Sequence, residues 1–248
     1  MKEVIRSVLS ALGYRVEGIR YTPRQLLDPN RRRELRFDDV ICRHMFEHGQ
    51  ECIFIQVGAY DGISTDPLYK YVGRCGWRGV LLEPQPRSAA SLRQLYQDND
   101  KIAVLEAALD RQRGRRILYT VATDDLPDWA GGMASFYREH LLKHEYLLPG
   151  VGERVREVPV DCVTFDDVLE RLPGDKLDLL QIDAEGADGE IIALFPFDRV
   201  MPSIVHWEIK NLSRTEQESV LELLGGHGYL VARSGCEDML AVLPPSAN

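Results

Sequence analysis

The stretch "CIFIQVGAYDG", residues 52–62, decides how the chain is read. Cys52 to Val57 is a short apolar run containing β-branched residues, and Gly58 ends it. That pattern marks a strand buried on both faces rather than an amphipathic helix. The next stretch, "TDPLYKYVGRCG" (65–76), opens with a cap candidate, carries Pro67 near the first helical position and stops at glycine. It predicts a helix. A buried strand followed by a helix is one beat of an α/β rhythm.

The rhythm repeats downstream. "GVLLEP" (79–84) reads as a strand, "PRSAASLRQLYQDN" (86–99) as a helix and "IAVLEAAL" (102–109) as one strand. After a mixed region comes "VREVPVDCV" (155–163), a strand outside the main rhythm, then the capped helix "TFDDVLERL" (164–172). "LDLLQID" (177–183), a helix near 188–195, "SIVHWEI" (203–209) and the helix "TEQESVLELLGG" (215–226) follow. The last strands, "YLVARS" and "DMLAVL", are joined by Gly235, Cys236 and Glu237 alone, too short for a crossover, so they form an antiparallel hairpin. The expected fold is α/β: a Rossmann-like, doubly wound, mostly parallel sheet ending in that hairpin. Residues 1–50 read as an N-terminal helical extension with breaks near Gly18 to Thr22 and at Pro29; Val40, Ile41 and Met45 form its packed face. Residues 51–248 read as the main domain.

Composition narrows the partners. A net charge of −9 repels phosphate backbones, so nucleic acid is not expected. Arg31 to Arg33 follow a helix start and are balanced by Glu34, Asp38 and Asp39. No apolar run reaches the length of a membrane span. Five scattered cysteines without a CxxC pair exclude a disulfide framework and point to the cytoplasm. A homo-oligomer is compatible with all of this.

In an open α/β sheet, ligands sit beyond the carboxyl ends of the strands. The first strand there ends in Gly58, Ala59, Tyr60, Asp61 and Gly62, a turn suited to close approach of a ligand. The second ends in Glu83 followed by Pro84. A carboxylate at that point accepts hydrogen bonds from both hydroxyls of a ribose. Together they read as an adenosine site. The G-x-x-x-G spacing, with the helix starting only near Pro67, disfavours a pyrophosphate cofactor such as NAD. The fourth strand of the rhythm ends in a different signal, "IDAEGADGE" (182–190), an abrupt cluster of carboxylates. Asp183 emerges beside the first strand's loop, where a base or metal ligand belongs. Glu185 enters the same turn, and Asp188 and Glu190 suit the start of the next helix. On the fifth strand His206 and Glu208 share one face. His206 is a candidate general base, and Asp183, Glu208 and Asn211 offer oxygen ligands for Mg²⁺. Residues 123–152 read as a lid carrying Trp129, Phe136, Tyr137 and Tyr146.

These pieces resemble the FkbM-type class I S-adenosylmethionine-dependent methyltransferases: "FIQVGAYDGISTDPL", "GWRGVLLEPQP", "ASF" at 134–136, "LLQIDAEGADGEI", "VHWEI" and "GYLVARSGCEDMLAVL". The resemblance covers roughly residues 50–243. It implies that Gly58 and Gly62 line the cofactor loop, that Glu83 binds the ribose, that Asp183 lies beside the transferred methyl group, and that Ser135 and Phe136 line the cleft. It also implies an O-methyltransferase acting on a hydroxyl of a sugar, glycolipid or secondary metabolite. Gln56 departs from the pattern, since class I enzymes usually carry an acid there; Asp61 is the expected substitute as contact to the methionine amino group. The rival readings are an NAD- or nucleotide-sugar-binding oxidoreductase and a non-catalytic nucleoside-binding domain.

Overall fold

The computed structural model describes residues 35–122, 126 and 128–244, which fall in one compact unit, Arg33–Asn248. The breaks read near Gly18 to Thr22 and at Pro29, the Arg31 to Arg33 run and the side chain of Trp129 lie outside the described residues.

Helix α1 (Phe37–His48) precedes strand β1 (Ile53–Val57), helix α2 (Tyr69–Cys75), β2 (Arg78–Leu82), α3 (Pro86–Leu95) and β3 (Ile102–Leu105). Strands β4 (Ala108–Leu109), β5 (Gly114–Val121) and β6 (Ala134–Ser135) follow, then α4 (Arg138–Leu142), α5 (Val151–Arg154), β7 (Val155–Val163) and α6 (Phe165–Leu169). The chain continues through β8 (Leu179–Ile182), α7 (Asp188–Leu194), β9 (Ile204–Glu208), α8 (Arg214–Gly226), β10 (Leu230–Ser234) and β11 (Asp238–Val242).

Seven strands form the central sheet in the order β10-β11-β9-β8-β1-β2-β3. β3, β2, β1, β8 and β9 are parallel; β11 pairs antiparallel with both β9 and β10. The terminal hairpin and the mostly parallel sheet are therefore as expected. The order runs outward from β1 in both directions, so the crevice for a ligand opens where β1 and β8 part.

Two expectations are corrected. "IAVLEAAL" is not one strand: β3 ends at Leu105, Glu106 turns out to pair with Arg93 at 2.8 Å, and Ala108–Leu109 join a second sheet. That sheet, β4-β7-β5-β6, is built on eight antiparallel pairs between β5 and β7. β7 was legible as a strand outside the rhythm. β5 was not, because Arg115 and Arg116 at its start mask the alternation and its outer residues are exposed. Helix α2 also begins at Tyr69, two residues beyond Pro67.

One face of the sheet packs beneath α1. Ile41 is buried with Phe54, Leu179, Ile204 and Leu240, and Val40 and Met45 pack against the same cluster. Apolar burial of this kind contributes about 25 cal/mol per Å². At the amino edge of the sheet the cluster is closed by Asp178, which is wholly buried. Its carboxylate accepts from His44 Nε2, the Ile53 N–H and Lys176 Nζ, each at 2.9 Å. Burial pushes the carboxyl up, but these three donors outweigh it and bring it down to about 2. A depressed folded value contributes stability above the unfolded pKa of about 3.9 and loses it as pH falls toward 2; the gain is about 2 kcal/mol. Urea unfolding followed by circular dichroism between pH 6 and pH 2.5 should show a wild-type acid slope that is shallower in Asp178→Asn. Identical slopes would show that this carboxylate does not set acid stability.

Candidate active site

The loop after β1 is shaped by its neighbours. Gly58 has φ +79°, and a Cβ on it would lie 1.8 Å from the Asp183 carbonyl oxygen. The glycine is there because the end of β8 crosses it, a stricter demand than the approach of a ligand. Gly62, at φ +72°, seats the loop on Leu92 of α3. Between them Tyr60 takes φ +47° and donates its backbone N–H to Glu83 Oε2 at 2.8 Å. Glu83 Oε1 accepts from the Gln85 N–H at 2.8 Å. Each carboxylate oxygen keeps a further lone pair for a ligand hydroxyl. Burial raises Glu83 to about 7 against those two donors, and the Asp183 charge adds to the rise.

Glu83 and Asp183 face one cleft, enclosing about 530 Å³ including its open mouth. Val57, Gly58, Pro84 and Gln85 line one side, and Ala184 and Glu185 line another. The second sheet supplies the roof through Ala108, Leu118, Ala134, Ser135 and Phe136. Buried Ala59 belongs to the same turn; its N–H and that of Gly58 both donate to the Leu82 carbonyl, at 3.1 and 3.0 Å.

Asp183 closes β8. Its side chain reaches solvent through the cleft mouth, yet the surrounding protein is dense enough that burial raises its pKa, with Lys210 opposing and Glu237 adding. Glu185, at φ +48°, is raised to about 7 by burial and then by Asp183. Glu208 is raised to about 9 by burial, then by Asp183, Glu185 and Asp188. Asp188, wholly buried, accepts from the Gly186 N–H at 3.2 Å and is raised to about 8 by burial. Four carboxyls this close titrate as one system, and they do not all ionise at neutral pH. Glu190 instead accepts from the Tyr137 hydroxyl and tethers the roof.

Two expected roles do not fit. His206 lies one layer below Glu208, 5 % exposed, with Nδ1 donating to Gln181 Oε1 at 2.7 Å and its ring 4.7 Å from that of Phe37. Burial drives it down to about 3, so it is an interior residue, out of reach of a substrate proton. Asn211 turns its amide nitrogen toward the carboxylates, donating to Glu185 Oε2 at 3.1 Å and Glu208 Oε2 at 3.3 Å. Asp183, Glu208 and Asn211 therefore do not present three oxygens to a Mg²⁺ ion. Among the described residues, the group of His, Cys and acidic ligands gathered within 4.8 Å is His44, Cys52 and Asp178, at the opposite edge of the sheet. There the Asp178 oxygens are already taken.

The roof was partly legible. Ser135, 1 % exposed, donates from Oγ to the Glu185 carbonyl at 3.1 Å, and His140 Nδ1 reaches the same oxygen at 3.2 Å. Arg116 lies over the Phe136 ring at 3.8 Å, a contact that no local pattern announces. Tyr146 is 76 % exposed and is not among the residues that line the cleft. Asp61 spends its carboxylate on its own loop: Ile63 N–H, Ser64 N–H and Ser64 Oγ donate at 2.9, 2.7 and 2.6 Å. Sequence reasoning missed Asp66, which accepts from Gln56 Nε2 at 3.1 Å across ten residues.

A parallel sheet in the order 3-2-1 and then 8-9, completed by an antiparallel hairpin, with acids closing its second and eighth strands, defines a Rossmann-like protein of the class I methyltransferase type. The profile of the methyltransferase FkbM domain matches residues 56–231, and the chain belongs to that family. Among solved structures it is similar to the FkbM methyltransferase of Methylobacillus flagellatus KT, with 12% identity, a TM-score of 0.48, and coverage of 78% of this chain and 44% of that one. The chain thus spans less than half the length of that relative. It is also similar to an O-methyltransferase from Bacillus cereus in complex with SAH (13% identity, TM-score 0.41, covering 97% and 89%). A third is Aeropyrum pernix fibrillarin with bound S-adenosyl-L-methionine (13% identity, TM-score 0.38, covering 77% and 66%). Comparison with curated proteins gives no match. Among the described residues no helix is long and apolar enough to cross a membrane.

Proposed function

We propose that the chain binds S-adenosylmethionine and transfers its methyl group to a hydroxyl oxygen of a small acceptor: a sugar, glycolipid or secondary metabolite. The observation that carries this reading is that Glu83, Gly58 at the start of the β1 loop and Asp183 line one cleft at the carboxyl edge of the sheet. Family membership supports the cofactor, and the acceptor class follows from the sequence resemblance. The cofactor supplies an electrophilic methyl on a sulfonium. The chain's own part is to hold the ribose at Glu83, to exclude water under Ala134, Ser135 and Phe136, and to accept the acceptor's hydroxyl proton at Asp183. The freed oxygen lone pair forms the new O–C bond as the S–C bond breaks and its electrons return to sulfur. Positioning of this kind supplies about 7–11 kcal/mol. The dispersed, odd-numbered cysteines support a cytoplasmic setting.

Calorimetric titration with S-adenosylhomocysteine tests the reading. Wild-type protein should bind, and Glu83→Gln should bind about 10–100-fold more weakly, since a carboxylate that receives two hydroxyl donors is replaced by a neutral amide. Folded wild-type protein that ignores this ligand but binds NADH would give the oxidoreductase reading instead. Turnover is expected to survive chelator treatment, and its loss would return a metal to the site.

A further inference from the structure

Beneath the β1 loop lies a group of acceptors without enough donors. Gln56 is 3 % exposed; its Nε2 is committed to Asp66 Oδ1, and its Oε1 is buried with no partner. Asp66 Oδ1 also accepts the Leu68 N–H at 2.8 Å. Among the described residues no hydrogen bond engages Asp66 Oδ2 and no cation pairs with it. A buried carbonyl oxygen left unpaired costs free energy, and such a group in a folded protein calls for a ligand or a water. Beside a carboxylate the fitting donor is a cation with several N–H bonds. An alkylammonium has that chemistry.

Topology says where such a cation would come from. β1 lies between β2 and β8, and Gln56 pairs with Leu81 on one side and Gln181 on the other. A ligand held at Glu83, after β2, with its reactive carbon facing Asp183, after β8, must carry its sulfur across the end of β1. The amino-acid arm on that sulfur then leaves over the end of β1, where half-buried Asp66 is bonded to Gln56. Asp61 is the weaker candidate, because it already accepts three hydrogen bonds within its own loop, two at Oδ1 and one at Oδ2.

We infer that Asp66, held in orientation by Gln56, receives the α-ammonium of the cofactor's methionine arm, in place of an acid at position 56. The inference rests on the cofactor reading above. Burial raises Asp66 to about 6, as suits a carboxyl whose counter-ion arrives with the ligand.

Two probes separate this role from a structural one. S-adenosylhomocysteine carries the ammonium; 5′-methylthioadenosine keeps the adenosyl group and sulfur but lacks the amino-acid arm. In calorimetry, Asp66→Asn should weaken S-adenosylhomocysteine binding by about 10–100-fold and leave methylthioadenosine within about twofold. Gln56→Met, which keeps the carboxylate but frees it, should weaken the first probe less and spare the second. Equal losses for both probes, or no loss for the first, in a folded variant would overturn the assignment while leaving the cofactor reading intact. Folded wild-type protein that binds neither probe would overturn both.

Discussion

Asp183→Asn should lower methyl transfer by about 10²–10⁴-fold while the protein stays folded and binds cofactor normally. The side chain sits at the end of β8, opens into the cleft and makes no hydrogen bond within the described residues that would tie it down. Glu185, Glu208 and Asp188 are committed: the first two accept from Asn211 and the third from Gly186. Burial, together with the Glu237 charge, raises the Asp183 carboxyl, with Lys210 alone opposing. A raised pKa means that the proton-accepting form appears only as pH climbs above the usual carboxylate range of about 4. The rate should therefore rise with pH along an acid limb displaced upward. Because the four carboxyls interact, the limb reports the group as a whole, and Glu237→Gln should move it downward by removing the charge that raises Asp183. Initial rates of the wild type and both variants across pH 5–9, measured by mass spectrometry of the methylated product, decide the matter. An Asp183→Asn enzyme with wild-type turnover would remove the residue from proton transfer and leave it a role in shape alone.

The second large effect is on the fold. Gly58→Ala should destabilise the protein by about 3–5 kcal/mol, combining a left-handed backbone with overpacking. The new methyl would lie 1.8 Å from the Asp183 carbonyl oxygen, and that atom cannot retreat cheaply. The Asp183 N–H is bonded to the Val57 carbonyl at 2.9 Å, and the Gly58 and Ala59 N–H groups hold the Leu82 carbonyl. Moving any of them opens the β1 pairing with β8 or β2. Gly62→Ala is the control: its φ is also positive, but the obstructing atom is the tip of Leu92, a side chain that can shift. Urea denaturation should rank the two, with Gly58→Ala much the worse and Gly62→Ala losing about 1–2 kcal/mol. If the two variants lose the same amount, the crossing of β8 over the loop is not what demands glycine.

Much of the site was legible along the chain because its signals are local. A buried strand ends where apolar residues stop, so Glu83 and Asp183 announce themselves as polar closures of apolar runs, and the β1 turn is marked by Gly58 and Gly62. Less could be read where partners are distant. β5 opens with arginines, and the partner of Arg115 is Asp161 on β7, so its alternation is hidden. His206 alternates with Glu208 as a catalytic pair would, but the helix that buries it, α1, lies far earlier in the sequence and brings Phe37 onto its ring. Asn211 has the oxygen a cation would use, yet its amide nitrogen is claimed by two carboxylates.

The sequence by itself determined the strand and helix rhythm, the hairpin that ends the sheet and the two acids that close its central strands, because each depends on residues a few positions apart. Only the tertiary structure decided which carboxylates share a field, why Gly58 admits no side chain, and that Asp66 stands beside Gln56. Those outcomes depend on the order in which strands lie side by side and on what is packed above them. Charge and excluded volume act through space, and the spacing of residues along a chain does not record which distant neighbours they will meet.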